Sequence, residues 1–349
     1  MRYLKADFTP YSSDSSRTIA NLETAYEQWV DAHRALARLP STMYWQAKGK
    51  TDYLAFKQYT TSPGTTMGPR SPETEARLAE HVEEKSRLKR QLQRADELIQ
   101  ERAALCRVQR VQAIPDRQSG ILRELDKHEV LRNDVMVVGT NAFIAYSIAC
   151  QARFPTGIEE TEDFDLAWCR DSGVSLARRA GIALQPRLSV LGALRDFDSS
   201  FQINPSKPYQ AINRDGYEVE LLAAPSLAPL PKEEAFSPMV TLDEQEWLLR
   251  GRPLAVVAPT LRGRACPLYV PDPRWMALHK LWLSKKPERS AAKKPKDARQ
   301  GNVLLSACRY FLPDMYPIDR DFVFELPAEL REIFTAWCEA NEFDVNAPD

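Results

Sequence analysis

The chain has 349 residues, 44% hydrophobic and 27% charged, which is ordinary for a globular protein with a sizeable core. Lys and Arg total 47 against 48 Asp and Glu, and the net charge of −1 argues against a general nucleic-acid coat or a polycation-binding acid while leaving room for local basic patches. The 6 cysteines form no CxxC pair, no Cys/His cluster has zinc spacing, and 4 histidines argue against a His-based metal site.

The N-terminus "MRYLKADFTPYSSDSS" has no apolar signal region, and no run approaches the roughly 20 apolar residues of a membrane span. The expectation is a cytoplasmic protein with reduced thiols and no membrane partner.

Along the chain, "SSRTIANLETAYEQWVDAHRALARLP" sets Ile19, Leu22, Tyr26, Trp29, Val30 and Leu36 at helical spacing, and Pro40 stops the helix. The aromatic and threonine-rich stretch that follows predicts a hairpin turning at Gly49. Tyr44 and Trp45 in it could stack a base, but an aromatic hairpin more often serves the core. Ser71-Pro72-Glu73 marks an N-cap with proline at the first helical position. A long charged helix over 73–113 follows, with an incomplete apolar stripe at Leu78, Val82, Leu88, Leu92, Ala95 and Ile99, broken by Lys85. Its heptads are too irregular for an extended coiled coil, so it reads as a packed arm or a homodimer contact.

A helix is predicted over 117–131, then a strand buried on both faces at Val135–Val138, closed by Gly139 and followed by a turn and a helix. "ETEDFDLAW" reads as a strand and "SGVSLARRAGIAL" as a helix. Strands follow over 200–224 with a turn at Asp215-Gly216, and "PSLAPLPKEEAFSP" reads as a linking loop. "RPLAVVAPTLRGRACPLYV" is a further β segment turning near Arg262-Gly263. Three helical stretches close the chain: "DPRWMALHKLWLSKK", "PKDARQGNVLLSACRYF" and "PAELREIFTAWCEANEF". The fold class is α+β: a small mixed β-sheet core over 131–270, after a helical N-terminal region over 1–130 and before a helical C-terminal domain over 271–349.

Residues i and i+2 of a strand share a face, so Asp163 and Asp165 project together while Phe164, Leu166 and Trp168 turn to a core. Two adjacent carboxylates repel unless a cation lies between them, and Mg²⁺ prefers such oxygen ligands. Alternatives are the solvated face of an edge strand, or a pair neutralised by arginine. Upstream, Gly139-Thr140 opens a helix whose N–H groups and hydroxyl suit a phosphate. Downstream, "GYEVELL" puts Glu218 and Glu220 on one strand face as candidate third acids.

"VVGT", "ETEDFDLAW" and "YEVELL" together resemble the hG[ST]…Dh[DE]h…h[DE]h pattern of the polymerase-β-type nucleotidyltransferase superfamily, nearest its minimal and abortive-infection-toxin-like branches. The "YW" hairpin, "GPRSPETE", "VELL.AP", "ALHKL" and "KxxKDxxQ" resemble one bacterial subgroup of that fold, over roughly residues 40–310. The resemblance implies that Gly139 and Thr140 grip nucleotide phosphates, that Asp163 and Asp165 bind metal, and that Glu220 is the third acid, with Glu218 in reserve. Thr140 stands where serine is commoner, and a glutamate stands at the third acid. Asn141, just after Thr140, contacts phosphate or caps the helix. Two Mg²⁺ ions are implied, with Mn²⁺ as an alternative.

The segment 280–299 carries eight Lys and Arg, by default a solvated charged face. The resemblance selects Lys280 and Lys296 as phosphate-binding residues and gives Asp297 the task of orienting a lysine or capping a helix. His279 points about 100° away from Lys280 and reads as structural. Cys150 and Cys169 read as buried and inert. The implied activity is transfer of a nucleotidyl group from an NTP to an acceptor: a protein hydroxyl, a tRNA end or a small molecule. The abortive-infection-like motifs point to a toxin or defence role. The competing readings are a non-catalytic nucleotide or RNA binder on the same fold, and a scaffold built on the long helix.

Overall fold

The computed structural model describes residues 2–156, 164–169, 189–227, 234–236 and 240–346. Strand β1 (Thr9–Pro10) precedes helix α1 (Ser13–Arg38), whose N-cap Ser12 accepts from the Ser15 N–H. Ile19, Leu22, Tyr26, Trp29 and Val30 are buried on the face that their spacing predicts, whereas Leu36 is half-buried. Strands β2 (Thr42–Lys48) and β3 (Thr51–Lys57) form the expected hairpin through Gly49 at φ +66°. A strand that the sequence reading omits, β4 (Thr65–Pro69), widens it to three strands. Tyr44 and Trp45 are half-buried, with the Arg70 guanidinium 5.2 Å from the Trp45 ring centre.

Helix α2 (Pro72–Val108) starts at Ser71 as expected, with a reciprocal Ser71/Thr74 capping box. It packs along α1. Its buried stripe is His81, Leu88, Ala95, Ile99, Ala103 and Cys106, one residue away from Val82, which is exposed. Lys85, half-buried between His81 and Leu88, interrupts the buried run on this face. Its amine reaches the Ser41 carbonyl and ties the helix to the entrance of the hairpin.

Helix α2 and helix α3 (Asp116–Lys127) both end earlier than their sequences suggest. Arg110 and Glu129 take left-handed backbone, with φ of +57° and +59°. The Val111 N–H returns to the Cys106 carbonyl, and the Val130 N–H to Leu125. These are Schellman closures without the usual glycine.

The central sheet contains β5 (Val135–Val137), then, beyond helix α4 (Ala142–Ala149) and β6 (Ala152–Arg153), β7 (Phe164–Trp168). After helix α5 (Val190–Phe197) come β8 (Gln202–Asn204), β9 (Lys207–Ile212) and β10 (Glu218–Ala223). The sheet order is β5-β7-β10-β9-β8, with β11 (Val240–Thr241) also on β10. Strands β7 and β10 run parallel, and β5 and β9 flank them antiparallel. Strand β6 pairs instead with β1, pinning the N-terminal segment beside α4. The helix expected over 172–184 lies outside the described residues, as does most of the expected linking loop. The described end of that loop is structural: Glu234 accepts from the first N–H of α5, and Phe236 is buried.

Helix α6 (Gln245–Leu248) leads to the hairpin β12 (Leu254–Pro259) and β13 (Ala265–Val270), which turns at Gly263 as expected. It packs against α1, α3 and α4. Then come α7 (Pro273–Lys285), α8 (Lys294–Phe311), the short α9 (Arg320–Glu325), absent from the sequence reading, and α10 (Ala328–Asn341). Gly301 lets α8 lie close on α7, since a Cβ there would sit 2.7 Å from the Ala277 carbonyl. Buried apolar residues form one continuous cluster from Phe8 to Trp337. No described helix is long and apolar enough to cross a membrane. The architecture is α+β.

Candidate active site

Strand alternation builds the acidic face. Phe164 and Leu166 of β7, with Val219 and Leu221 of β10, are fully buried on one side of the sheet. Asp165 and Glu220 therefore turn to the other side, where they are direct register partners across the parallel pair. Strands in a sheet lie about 4.8 Å apart, so the two side chains leave the backbone as neighbours. Glu218 shares this face two residues earlier. Asp163, which the sequence reading pairs with Asp165, lies outside the described residues.

Strand β5 delivers the turn. The Val138 N–H donates to the Asp165 carbonyl at 3.1 Å, which fixes the end of β5 against β7. Gly139 follows with φ +71°, and a Cβ there would stand 2.4 Å from Asp165 Oδ2. Both the backbone angle and the close approach require glycine. The next residue, Thr140, is buried, and its hydroxyl accepts from Gln300 Nε2 at 3.2 Å. Asn141 occupies the N-cap of α4, but its side chain makes no capping bond to the helix.

Gln210 holds the two glutamates. It lies on β9 opposite Glu220 and is fully buried. Its Nε2 donates to Glu218 Oε2 at 2.7 Å and to Glu220 Oε1 at 3.2 Å. Its Oε1 accepts from Asn204 Nδ2 at 2.7 Å, which settles which way the amide faces. Sequence reasoning passed over Gln210 because an uncharged residue in "KPYQAI" shows no chemistry until the strands are paired. Its one available signal was a polar residue inside a strand.

The C-terminal helices supply the cations. Lys280 of α7 is buried and bonds Asp297 Oδ1 at 3.2 Å, while Arg289 Nε meets Asp297 Oδ2 at 2.7 Å. Burial pulls the Lys280 ammonium below its ordinary pKa, and the Asp297 and Asp165 carboxylates oppose that shift. Burial pushes the Asp297 carboxyl upward, but Arg289 and Lys280 outweigh it and hold it below the usual range. Asp297 thus orients a lysine, one of the two tasks that its position suggested. Gln300 follows one turn later on the same helix face and reaches Thr140. "KxxKDxxQ" contains it, but the spacing alone assigns it no role. Lys296, four residues before Gln300 in the first turn of α8, is half-exposed.

His279 is buried, with its ring edge-on to Trp247. Burial, then Lys280, lowers its pKa to about 3. Cys150 and Cys169 are buried, and burial drives both thiols far up. That is the setting of unreactive cysteines.

The structure brings Gly139, Thr140, Asp165 and Glu220 to one end of the sheet, with Lys280 near enough to sense Asp165. Among the described residues, no group of three or more His, Cys, Asp or Glu side chains is arranged to hold a metal ion.

Neither curated proteins nor solved structures yielded a match. A family model described as Nucleotidyltransferase matches residues 117–317, more than half of the chain. That span runs from α3 through the sheet to the end of α8 and includes each residue of the site described above. The chain belongs to this nucleotidyltransferase family.

Proposed function

We propose that the chain is a Mg²⁺-dependent enzyme that moves a nucleotidyl group from a nucleoside triphosphate to an acceptor hydroxyl. The observation that carries this reading is the register pairing of Asp165 with Glu220, with the Gly139 turn pressed against the Asp165 carboxylate. Oxygen donors on adjacent strands suit a hard divalent cation, Mg²⁺ first and Mn²⁺ as a substitute. Asp165 and Glu220 would hold it, together with Asp163. When bound, the metal supplies charge neutralisation at the triphosphate and acidifies the acceptor hydroxyl.

The remaining work falls to the chain. Thr140 and the first N–H groups of α4 receive triphosphate oxygens. Lys280, aimed by Asp297, adds a cation, with Lys296 as a second contact. The acceptor oxygen attacks the α-phosphorus, and its proton passes to Glu220. The bond from the α-phosphorus to the bridging oxygen breaks, and pyrophosphate leaves with the electron pair. Holding these groups in line supplies the rate without a covalent protein intermediate.

The test incubates the protein with each radiolabelled NTP, Mg²⁺ and cell extract, beside an Asp163→Ala/Asp165→Ala double variant. Transfer by the wild type and its loss by about a thousandfold in the variant are expected. Transfer that survives the double substitution overturns the site. Bound NTP without turnover in the wild type marks a non-catalytic binder instead.

A further inference from the structure

Helix α2 has a second face, turned away from its buried stripe. Ala79, Val82, Glu83, Lys89, Arg90 and Gln93 are exposed there, with Ser86 half-buried among them. At about 100° per residue these positions share roughly one third of the helix circumference, opposite His81, Leu88 and Ala95. Val82 is 55% exposed and is the largest apolar side chain of this group. It lies in a shallow groove of about 400 Å³, walled by Trp45 of β2 on one side and by Glu75, Leu78, Ala79 and Glu83 of α2 on the other.

Charge is sorted along the helix. Residues 73–84 carry five glutamates and one arginine, and residues 85–94 carry five Lys and Arg and no acid. Sorting sets like charges one turn apart, at Glu80 and Glu84, Lys85 and Lys89, and Arg90 and Arg94, which destabilises a lone helix. The helix dipole does not call for it, because that effect fades within the terminal turns and 85–94 lies mid-helix. Inside the chain, Arg87 pairs with Glu84 at 2.6 Å and Arg70 with Glu75 at 2.7 Å. Among the described residues, Glu83, Lys89 and Arg90 have no such partner.

We propose that this face docks a second copy of the chain, with the two α2 helices antiparallel and the twofold axis beside Ser86. Such an axis sets each residue against the one equally far beyond Ser86. Glu83 then faces Lys89 of the other copy, and Val82 faces Arg90. The stem of Arg90 covers Val82 and Leu78 in the groove, while its guanidinium reaches Glu83. Symmetry makes every contact twice.

Charge complementarity selects this occupant. An antiparallel copy lays each acidic half on a basic half, whereas a parallel copy would set like on like. A basic peptide would cover only the acidic half, and a polyanion would leave the apolar groove in water. The proposal does not depend on the nucleotidyl-transfer reading. It also gives the arm two tasks: one face packs on α1 and the other on the second copy.

Sedimentation equilibrium of the full chain at micromolar concentration should give twice the 39.7 kDa of one chain. Glu83→Arg and Arg90→Glu should each weaken the dimer about tenfold by placing like charges face to face. The double variant Glu83→Arg/Arg90→Glu exchanges the signs and should restore the wild-type affinity. Positions 83 and 90 are two turns apart, beyond the reach of a pair within one helix, so the rescue arises between copies. Ser86→Cys should form a reducible crosslink between copies that the wild type does not form. A wild type that stays monomeric overturns the proposal, as does a double variant no tighter than the single ones. A dimer that neither weakens in Glu83→Arg nor crosslinks through position 86 is built elsewhere and overturns it too.

Discussion

Asp126 and Asp297 are both buried carboxylates with two polar partners each, yet they sit in different company. Asp126 accepts from Tyr26 at 2.9 Å and from Arg34 at 3.0 Å, joining α3 to α1. Asp297 joins α8 to α7 through Lys280 and adds Arg289. The local arrangement is similar: an arginine meets each carboxylate, beside a phenol at Asp126 and an ammonium at Asp297. The difference is one step further out, where Lys280 senses Asp165 and the next turn of α8 reaches Thr140. A buried ion pair by itself identifies no site, because desolvation makes such pairs weak evidence even for stability. What it touches next decides its role.

The strongest way to break the comparison is to remove one cation from each pair. Lys280→Met should lower transfer about a hundredfold. Arg34→Met should leave transfer per folded molecule unchanged and cost about 2 kcal/mol in urea unfolding. Equal losses of transfer in both variants would erase the distinction.

A pH titration sharpens it. Among the described residues, His279 has both ring nitrogens buried without a hydrogen-bond partner, and its folded pKa is about 3, below the ordinary 6.5. The unfolded chain takes up its proton first, so stability falls as pH drops below 6.5 and keeps falling to about 3. His279→Gln should therefore lose about 2 kcal/mol less than wild type between neutral pH and pH 5. Asp297 works in another window. Its depressed pKa gives stability that is intact above the ordinary 3.8 and is lost only as pH falls through the folded value. A stability loss at pH 5 that is the same in wild type and His279→Gln would remove His279 from this account.

The smallest effect belongs to Gln210. Gln210→Leu keeps the volume of the side chain but removes the amide that holds Glu218 and Glu220. Transfer should fall about tenfold, through kcat rather than KM. A change in KM alone would assign Gln210 to substrate binding.

Strand alternation made the acidic face legible in the sequence, because Phe164, Leu166, Val219 and Leu221 can satisfy only one side of a sheet. The glycine after a buried strand made the turn legible. Helix ends were harder. Arg110, Glu129 and Glu342 adopt the left-handed conformation that glycine normally signals, so the predicted helices ran past their true ends. Gln210 and Gln300 were hidden for another reason. Their roles arise only when β9 meets β10 and when α8 meets α4, and neither meeting is written in local spacing.

The parallel pairing of β7 with β10 has a consequence for how this site withstands mutation. A one-residue slip of β7 would carry Phe164 and Leu166 into water and Asp165 into the core. Such a slip costs the burial of large side chains and charges a carboxylate with desolvation. The hydrophobic core thereby acts as a proofreader for the acids: a chain that has folded at all has already set Asp165 beside Glu220. Drift in sequence can erode the reactivity of this face, but it cannot easily shift its alignment without first unfolding the protein.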